Sequence, residues 1–232
     1  MLILIFIVLI AAGGVYFLYN SNDIKTVNKN FSVESFDQIK VDNSIDNIRL
    51  VTSDQYSVNY TGQEELEPSV KVKNGILTID SPERSITING SIFNAKKLKQ
   101  ELTIKMPKKE LKYLSIDTSN GNISADNLEV QKGIIDTSNG KVYLKNLITK
   151  NGFKIDTSNG TVKVGKTNVE GYDLSTSNGH ITVEGENRSD EFEKNTDAKN
   201  VLSIDTSNGN ISVNWLSTCH AVDIMSMKKE AD

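Results

Sequence analysis

The carboxylates of a repeated hexapeptide are the residues of this chain whose type and spacing could do chemistry. Ile-Asp-Thr-Ser-Asn-Gly occurs four times, and a fifth copy reads Leu-Ser-Thr-Ser-Asn-Gly. Carboxylates at one place in successive repeats could bind a hard cation such as Ca²⁺, and a pair of them could serve as the acid and base of a carbohydrate-active enzyme. The four candidates are Asp117, Asp136, Asp156 and Asp205.

The repetition itself argues against catalysis. A catalytic pair needs two carboxylates in different environments so that their pKa values separate, whereas copies of one repeat provide equivalent environments. His180 stands beside a repeat turn and His220 in a tail that does not repeat, so neither has the partners of a triad or of a general base. We therefore expect no enzymatic activity, no cofactor and no metal centre.

The aspartates also raise a question of charge. Two carboxylates on neighbouring strands, about 4.8 Å apart, repel each other by roughly 0.9 kcal/mol even in water. Bound Ca²⁺, nearby lysines or local hydrogen bonds could offset this repulsion, and the lysines considered are Lys141, Lys154 and Lys163. Ser175 interrupts the series, and the glycine-rich nonapeptide of calcium-binding solenoids is absent, so local hydrogen bonding is favoured over a cation ladder.

The elements that must position these residues are short β-strands. The Asn-Gly pairs end at residues 121, 140, 160, 179 and 209, and apolar residues alternate with polar ones on both sides of each pair, which is the period of a strand. This alternation predicts ten core residues, with the threonines pointing inward and the aspartates outward. The core residues are Ile116, Ile123, Ile135, Val142, Ile155, Val162, Leu174, Ile181, Ile204 and Ile211, and the threonines are Thr118, Thr137, Thr157, Thr176 and Thr206.

Two topologies fit this alternation. In a meander each Asn-Gly would form a type I′ hairpin turn, whereas in a β-solenoid it would form a corner that needs positive φ. The near-identity of the repeats favours a β-solenoid with stacked coils of about 20 residues, because each side chain then packs on its own copy in the next coil. The turn residues are Asn120, Gly121, Asn139, Gly140, Asn159, Gly160, Asn178, Gly179, Asn208 and Gly209.

The predicted chain is therefore all-β after one N-terminal transmembrane helix. Its divisions are a transmembrane anchor or signal segment at 1–20, a linker at 21–30, N-terminal β coils at 31–112, the repeat solenoid at 113–215 with a loop insertion at 184–200, and an atypical, disordered tail at 216–232.

The N-terminal segment is interpreted as an uncleaved membrane anchor. Residues 2–19 are apolar apart from two glycines, and 18 residues of helix span roughly 27 Å, close to the thickness of a bilayer's hydrocarbon core. A cleaved signal peptide is the alternative, but no basic region precedes the apolar run. A buried core helix is a third interpretation, for which the rest of the chain offers no helical partner. Lys25 and Lys29 follow the segment, so the positive-inside rule alone would place the C-terminal part in the cytoplasm.

The charge and the cysteine content exclude some classes of function. A formal net charge of −4 and a pI near 5.4 leave no broad basic surface for a nucleic acid, so we expect no nucleic-acid partner. The single cysteine, Cys219, cannot form an internal disulfide.

Several motifs resemble one bacterial family. Met106-Pro107-Lys108-Lys109 followed by the repeat at 114–123, the opening strand at 36–41 and the segment 74–79 are similar to the putative-adhesin family of β-strand-repeat proteins, a domain of unknown function. The resemblance covers roughly residues 31–215. It implies an N-terminal membrane segment, display of the repeat domain outside the cytoplasmic membrane, and a role in adhesion or envelope stress, without catalytic residues.

These observations predict a single-pass protein of the cytoplasmic membrane, anchored through residues 2–19, whose extracytoplasmic β-repeat domain binds or scaffolds at the cell envelope. Its partner would be an envelope protein or a cell-wall polymer. Two alternatives remain, a solenoid carbohydrate-active enzyme and a passive structural spacer.

Overall fold

The computed structural model describes residues 25–43, 47–82 and 100–215. The predicted anchor at 2–19 and the tail at 216–232 lie outside these residues. Within the described ranges, no helix is long and apolar enough to cross a membrane.

The described chain is all-β, as predicted, apart from a 3-10 turn at Glu64–Leu66. Twenty strands are present in these residues, and they belong to one hydrogen-bonded sheet. The strands are β1 (Thr26–Ser32), β2 (Gln38–Asn43), β3 (Asn47–Thr52), β4 (Ser57–Gln63), β5 (Ser69–Lys73), β6 (Ile76–Asp80), β7 (Glu101–Met106), β8 (Leu111–Thr118), β9 (Ile123–Ala125), β10 (Leu128–Thr137), β11 (Val142–Leu144), β12 (Leu147–Thr149), β13 (Phe153–Thr157), β14 (Val162–Thr167), β15 (Gly171–Asn178), β16 (Ile181–Val183), β17 (Glu186–Arg188), β18 (Glu191–Lys194), β19 (Val201–Asn208) and β20 (Ile211–Trp215).

Each repeat contributes one strand to each of two long ladders, which together contain every described strand except β12. This short strand pairs with Leu128–Val130 of β10 and with Thr167 of β14. In each repeat the strand before Asn-Gly belongs to layer A. The strands of this layer have the spatial order β5-β6-β2-β8-β10-β13-β19-β15-β18. The strand after Asn-Gly belongs to layer B, whose strands have the order β1-β4-β7-β3-β9-β11-β14-β20-β16-β17. Their inward side chains form one hydrophobic core. We call one strand of layer A and its neighbour in layer B a rung.

The expected stacking of like side chain on like is confirmed. Ile135 pairs with Ile116 on one side and Ile155 on the other, and Ile155 pairs with Ile204. None of the ten predicted core residues is more than 1% exposed, and the five threonines are buried as expected. Because the rungs run parallel, each copy of the hexapeptide contacts a copy with the same backbone direction, so the same side chains fit at every level.

The order of the rungs differs from the expected order along the chain. The first three copies of the hexapeptide stack in sequence, but the fifth copy, on β19 and β20, lies between the third and the fourth. The physical reason is the segment between the fourth and fifth copies. Its strand β18 pairs with one edge of β15, so β19 can reach only the other edge, beside β13.

Asn200 holds the intercalated rung at its start. This side chain is buried, and its amide Nδ2 donates to the carbonyl of Thr149 at 2.9 Å. Its Oδ1 accepts from the backbone N–H of Gly152 at 3.2 Å, while its own carbonyl accepts from the N–H of Glu170 at 2.8 Å. One residue at the start of the fifth rung therefore contacts both the third rung and the fourth rung.

The insertion expected as a loop at 184–200 contains two strands that cap the stack. β17 and β18 pair antiparallel with β16 and β15, and Phe192 turns inward with its ring centroid 6.2 Å from that of Tyr172. At the opposite end, β5 and β1 pair antiparallel with β6 and β4. The last repeat in the chain is thus interior, and charged residues such as Glu191 and Glu193 occupy the edge, where they discourage edge-to-edge aggregation.

Candidate functional site

The strand register brings the four predicted aspartates into one row on the outer face of layer A. It adds two that sequence reasoning missed, because Asp42 pairs with both Asp117 and Asp80. Both added residues follow an alternating strand as Val-Asp or Ile-Asp without the rest of the hexapeptide, and this shorter signal could have identified them. In spatial order the row is Asp80, Asp42, Asp117, Asp136, Asp156, Asp205 and Ser175.

Hydrogen bonds and a lysine offset the repulsion at one end of the row. The Ser175 hydroxyl donates to Asp205 Oδ2 at 2.6 Å, so the serine that interrupts the repeat gives its neighbour a hydrogen bond in place of a like charge. Lys154 Nζ lies 2.7 Å from Asp156 Oδ2, and the hydrogen bond with this carboxylate raises the pKa of the lysine.

The middle of the row is less well compensated. Partial burial raises the pKa of Asp117, and the charges of Asp136 and Asp42 raise it further. Two of the three lysines considered as counter-charges for the row lie elsewhere. Lys163 belongs to β14 and Lys141 directly precedes β11, and both strands are in layer B.

An open, polar hollow with a volume of about 450 Å³ lies at the end of the row that contains Asp156, Asp205 and Ser175. Residues of three rungs line it, because the intercalated β19 places Ser203 and Asp205 between β13 and β15. Ser203 Oγ lies 3.4 Å from Asp173 Oδ2. The lining residues are Lys154, Asp156, Asp173, Ser175, Ser203, Ile204 and Asp205.

Nothing in the described ranges assembles a metal centre or a histidine-based catalytic site. Within residues 25–43, 47–82 and 100–215, no group of three or more His, Cys, Asp or Glu side chains is arranged to hold a metal ion. His180 directly precedes β16 in layer B, where its backbone N–H donates to Asn210 Oδ1 at 2.9 Å and its side chain is exposed. His220 lies outside the described residues.

The predicted turn asparagines form a second row, at the corner between the layers. Asn139 donates its amide to the side-chain oxygen of Asn120 at 3.0 Å, and Asn159 does the same to Asn139 at 3.0 Å. Asn208 then donates to Asn159 at 2.9 Å, and Asn178 donates to Asn208 at 3.0 Å. The amide row is therefore continuous through the intercalated rung, because an amide carries both a donor and an acceptor.

The glycines of these corners serve a purpose that the sequence reasoning did not identify. Positive φ was expected, but none of the five repeat glycines has it. A Cβ on Gly140 would instead lie 2.0 Å from the backbone oxygen of Gly121, and one on Gly160 would lie 1.8 Å from that of Gly140. Gly140, Gly160, Gly179 and Gly209 are needed because the backbones of successive rungs approach too closely for any side chain.

The outer face of layer B has a different character. Its central row contains an aromatic residue and basic residues, and Tyr143, at 42% exposure, lies between Ser124 and Lys163. Lys163 Nζ is 6.0 Å from the centroid of the tyrosine ring. Across strands β7, β3, β9, β11, β14, β20 and β16 the row is Thr103, Arg49, Ser124, Tyr143, Lys163, Ser212 and Thr182, without a carboxylate.

Residues 36–214 match the sequence profile of the family described as Toastrack DUF4097. The chain belongs to this family. The family resemblance noted in the sequence is thereby confirmed, while membrane anchoring of this Toastrack protein stays a prediction. A search of curated protein sequences found no match.

Solved structures similar to this Toastrack chain are described as adhesion proteins or, in one case, as a lipid binding protein. A putative cell adhesion protein from Clostridium sporogenes has a TM-score of 0.59 and 16% identity, with 83% of this chain and 100% of that chain covered. A putative adhesin from Bacteroides fragilis has a TM-score of 0.37 and 15% identity, with coverage of 83% and 97%. A putative lipid binding protein from Parabacteroides distasonis has a TM-score of 0.28 and 12% identity, with coverage of 83% and 97%. At these identities the first likeness concerns the fold alone, and the two lower scores carry no argument.

Proposed function

We propose that this protein is a non-enzymatic binding or scaffold module held at the outer side of the cytoplasmic membrane by residues 2–19. Its stacked β-solenoid would present broad faces to an envelope protein or a cell-wall polymer, in adhesion or in the response to envelope stress. The observation that carries the proposal is the pair of long outward rows, one acidic on layer A and one basic and aromatic on layer B.

The shape of the surface supports binding over catalysis. Glycoside hydrolysis needs two carboxylates with different pKa values on either side of a bound sugar. The hollow on layer A is open, and its carboxylates Asp156 and Asp205 are successive members of one repeating row. A long, open row of carboxylates suits contact along an extended partner, where many weak interactions add up.

The proposed location is tested by cysteine labelling in intact cells. In a Cys219→Ser background, Asp197→Cys places one thiol on an exposed turn between β18 and β19. An impermeant maleimide should label this variant without lysis. A matched variant in the same background, with a cysteine inserted between Met1 and Leu2, should be labelled only after lysis. Labelling of Asp197→Cys only after lysis would refute the extracytoplasmic location.

The proposed binding role is tested by co-sedimentation of the full-length protein with purified cell walls and by identification of crosslinked membrane proteins. Retention on walls, or a defined crosslinked partner, supports the proposal. If neither is found while the labelling succeeds, the protein is a passive spacer instead.

A further inference from the structure

The central rows on the outer faces of the two layers carry opposite charge. In layer A the central row contains six aspartates, and Asp173 adds a carboxylate beside it. In layer B the central row contains Arg49 and Lys163 and no carboxylate. A charged partner would therefore meet attraction on one face and repulsion on the other, although the net charge of the whole chain is only −4.

The basic side chains of layer B cluster around its exposed aromatic ring. We define the basic patch as Arg49, Lys141, Tyr143 and Lys163. The side chains of Arg49 and Lys163 are exposed and lie three strands apart, on β3 and β14, which corresponds to about 14 Å. Lys141 is exposed beside Tyr143 on the same segment. The patch is bordered by two acidic residues, Glu101, at 4.0 Å from Arg49, and Asp126, just after β9.

Tyr143 points to a ligand that has apolar as well as charged groups. Among the described residues it is the large hydrophobic side chain that remains exposed on the folded stack. It lies in a row whose other members are polar, with the Lys163 ammonium near its ring. Tyrosine rings provide a rigid contact surface for C–H groups, and lysine and arginine pair with phosphate oxygens.

We propose that the basic patch binds a linear anionic cell-wall polymer whose polyol units are joined by phosphodiesters. Arg49, Lys141 and Lys163 contact phosphates, and the Tyr143 ring packs against the intervening carbon chain. The carboxylates of layer A repel the same polymer, so binding is confined to layer B. This inference rests on the proposed envelope function, and it specifies the chemical class of the cell-wall partner.

Binding is measured with the full-length protein in detergent micelles and immobilised poly(glycerol phosphate), with uncharged dextran as the comparison. Lys141→Glu/Lys163→Glu should weaken binding to the phosphate polymer by at least about tenfold. It should also reduce the dependence of affinity on salt, because fewer counterions are released. Inorganic phosphate at millimolar concentration should not compete, since a single phosphate contacts only part of the patch.

The matched control reverses the same number of charges on the other face. Lys40 and Lys132 are exposed lysines of layer A. Lys40→Glu/Lys132→Glu should change the affinity by no more than about twofold at 150 mM salt, where screening acts over about 8 Å. Equal weakening by both double variants would overturn the proposal, because net charge alone would then explain binding.

A second variant tests the aromatic contact without changing charge. Tyr143→Ala should lower the affinity about fivefold while the salt dependence stays the same, and Tyr143→Phe should restore it. Equal binding to dextran, or wild-type affinity for Lys141→Glu/Lys163→Glu, would overturn the proposal. Wall co-sedimentation that survives Lys141→Glu/Lys163→Glu would leave the envelope function intact and remove only this site.

Discussion

The dipeptide Asn-Gly has two different roles in this molecule. Asn74-Gly75 joins the antiparallel strands β5 and β6, and its φ values of 53° and 75° are those of a two-residue hairpin turn. The repeat pairs, such as Asn139-Gly140, lack positive φ and join one layer to the other. At the hairpin, glycine is needed because it readily adopts positive φ. At the corners, glycine is needed because the neighbouring backbone leaves no room for a Cβ. The difference shows that neighbouring backbone, rather than the dipeptide itself, determines what each glycine does.

The largest effect is expected at a corner. Gly140→Ala should lower the free energy of unfolding by about 3 kcal/mol or more, because its Cβ would lie 2.0 Å from the Gly121 oxygen and two rungs would have to separate. Denaturant unfolding followed by circular dichroism measures this. A loss below about 1 kcal/mol would show that the corners have room for a side chain.

A smaller effect is expected at the hairpin. Gly75→Ala should cost about 1–2 kcal/mol, because alanine is disfavoured at φ +75° while the nearest atom, Asp37 Oδ1 at 3.3 Å, belongs to a side chain that can move. Gly185→Ala is the control for conformation alone, since its φ is +78° and its Cβ would meet nothing within 4 Å. If Gly75→Ala cost as much as Gly140→Ala in the same unfolding experiment, the distinction between the two roles would be wrong.

The asparagines of the two sites should respond differently to one substitution. Asn159→Gly removes two side-chain hydrogen bonds of the amide row and should cost about 1 kcal/mol. Asn74→Gly keeps a residue that accepts φ +53° and should be nearly neutral. Thermal unfolding of both variants checks this, and equal losses would show that the amide row adds nothing to stability.

The smallest effect concerns the carboxylates stacked beside the corners. The pKa of Asp117 is raised in the folded protein, so the folded state keeps this proton at a pH where the unfolded chain has released it, and stability falls as pH rises through that range. Asp117→Asn should therefore raise the free energy of unfolding at pH 7, by about 0.3 kcal/mol because the side chain is largely solvent-screened. At pH 3 the gain should vanish.

Asp37→Asn should change the free energy of unfolding at pH 7 in the opposite direction to Asp117→Asn. Its hydrogen bond with Lys112, 2.7 Å away, lowers the pKa of Asp37. The stabilisation from this carboxylate is present above its unfolded pKa and is lost as pH falls through the lower folded value. Asp37→Asn should therefore be destabilising at pH 7 and neutral in strong acid, and a gain at pH 7 would contradict this assignment.

The regular part of the fold could be predicted from the sequence because alternation fixes which side chains face inward. Ile116 and Thr118 were placed in the core, and Asp117 outside it, by counting in twos. The same counting could not order the rungs, since every copy of the hexapeptide fits beside every other copy. The insertion between the fourth and fifth copies decides the order, and its short, charged strands β17 and β18 lack the apolar alternation that would have revealed them.

The sequence predicted only part of the row of aspartates on layer A. Asp117, Asp136, Asp156 and Asp205 could be grouped because they occur in copies of one phrase. Asp42 joins them only through the pairing of β2 with β8, which brings together residues distant in the sequence. Lys163 was a candidate counter-charge for the row but lies on the other face, because the corner at 159–160 carries the chain from layer A to layer B between Asp156 and the lysine.

The intercalated rung has a consequence for synthesis. A ribosome delivers β15 and β16 before β19 and β20, yet β19 and β20 are the strands that join them to the rung of β13 and β14. The native order of the rungs can therefore be completed only when residue 215 has emerged. A nascent chain released before residue 201 would lose the attachment of the fourth copy and its cap as well as the fifth copy itself, so only a completed polypeptide forms the whole stack.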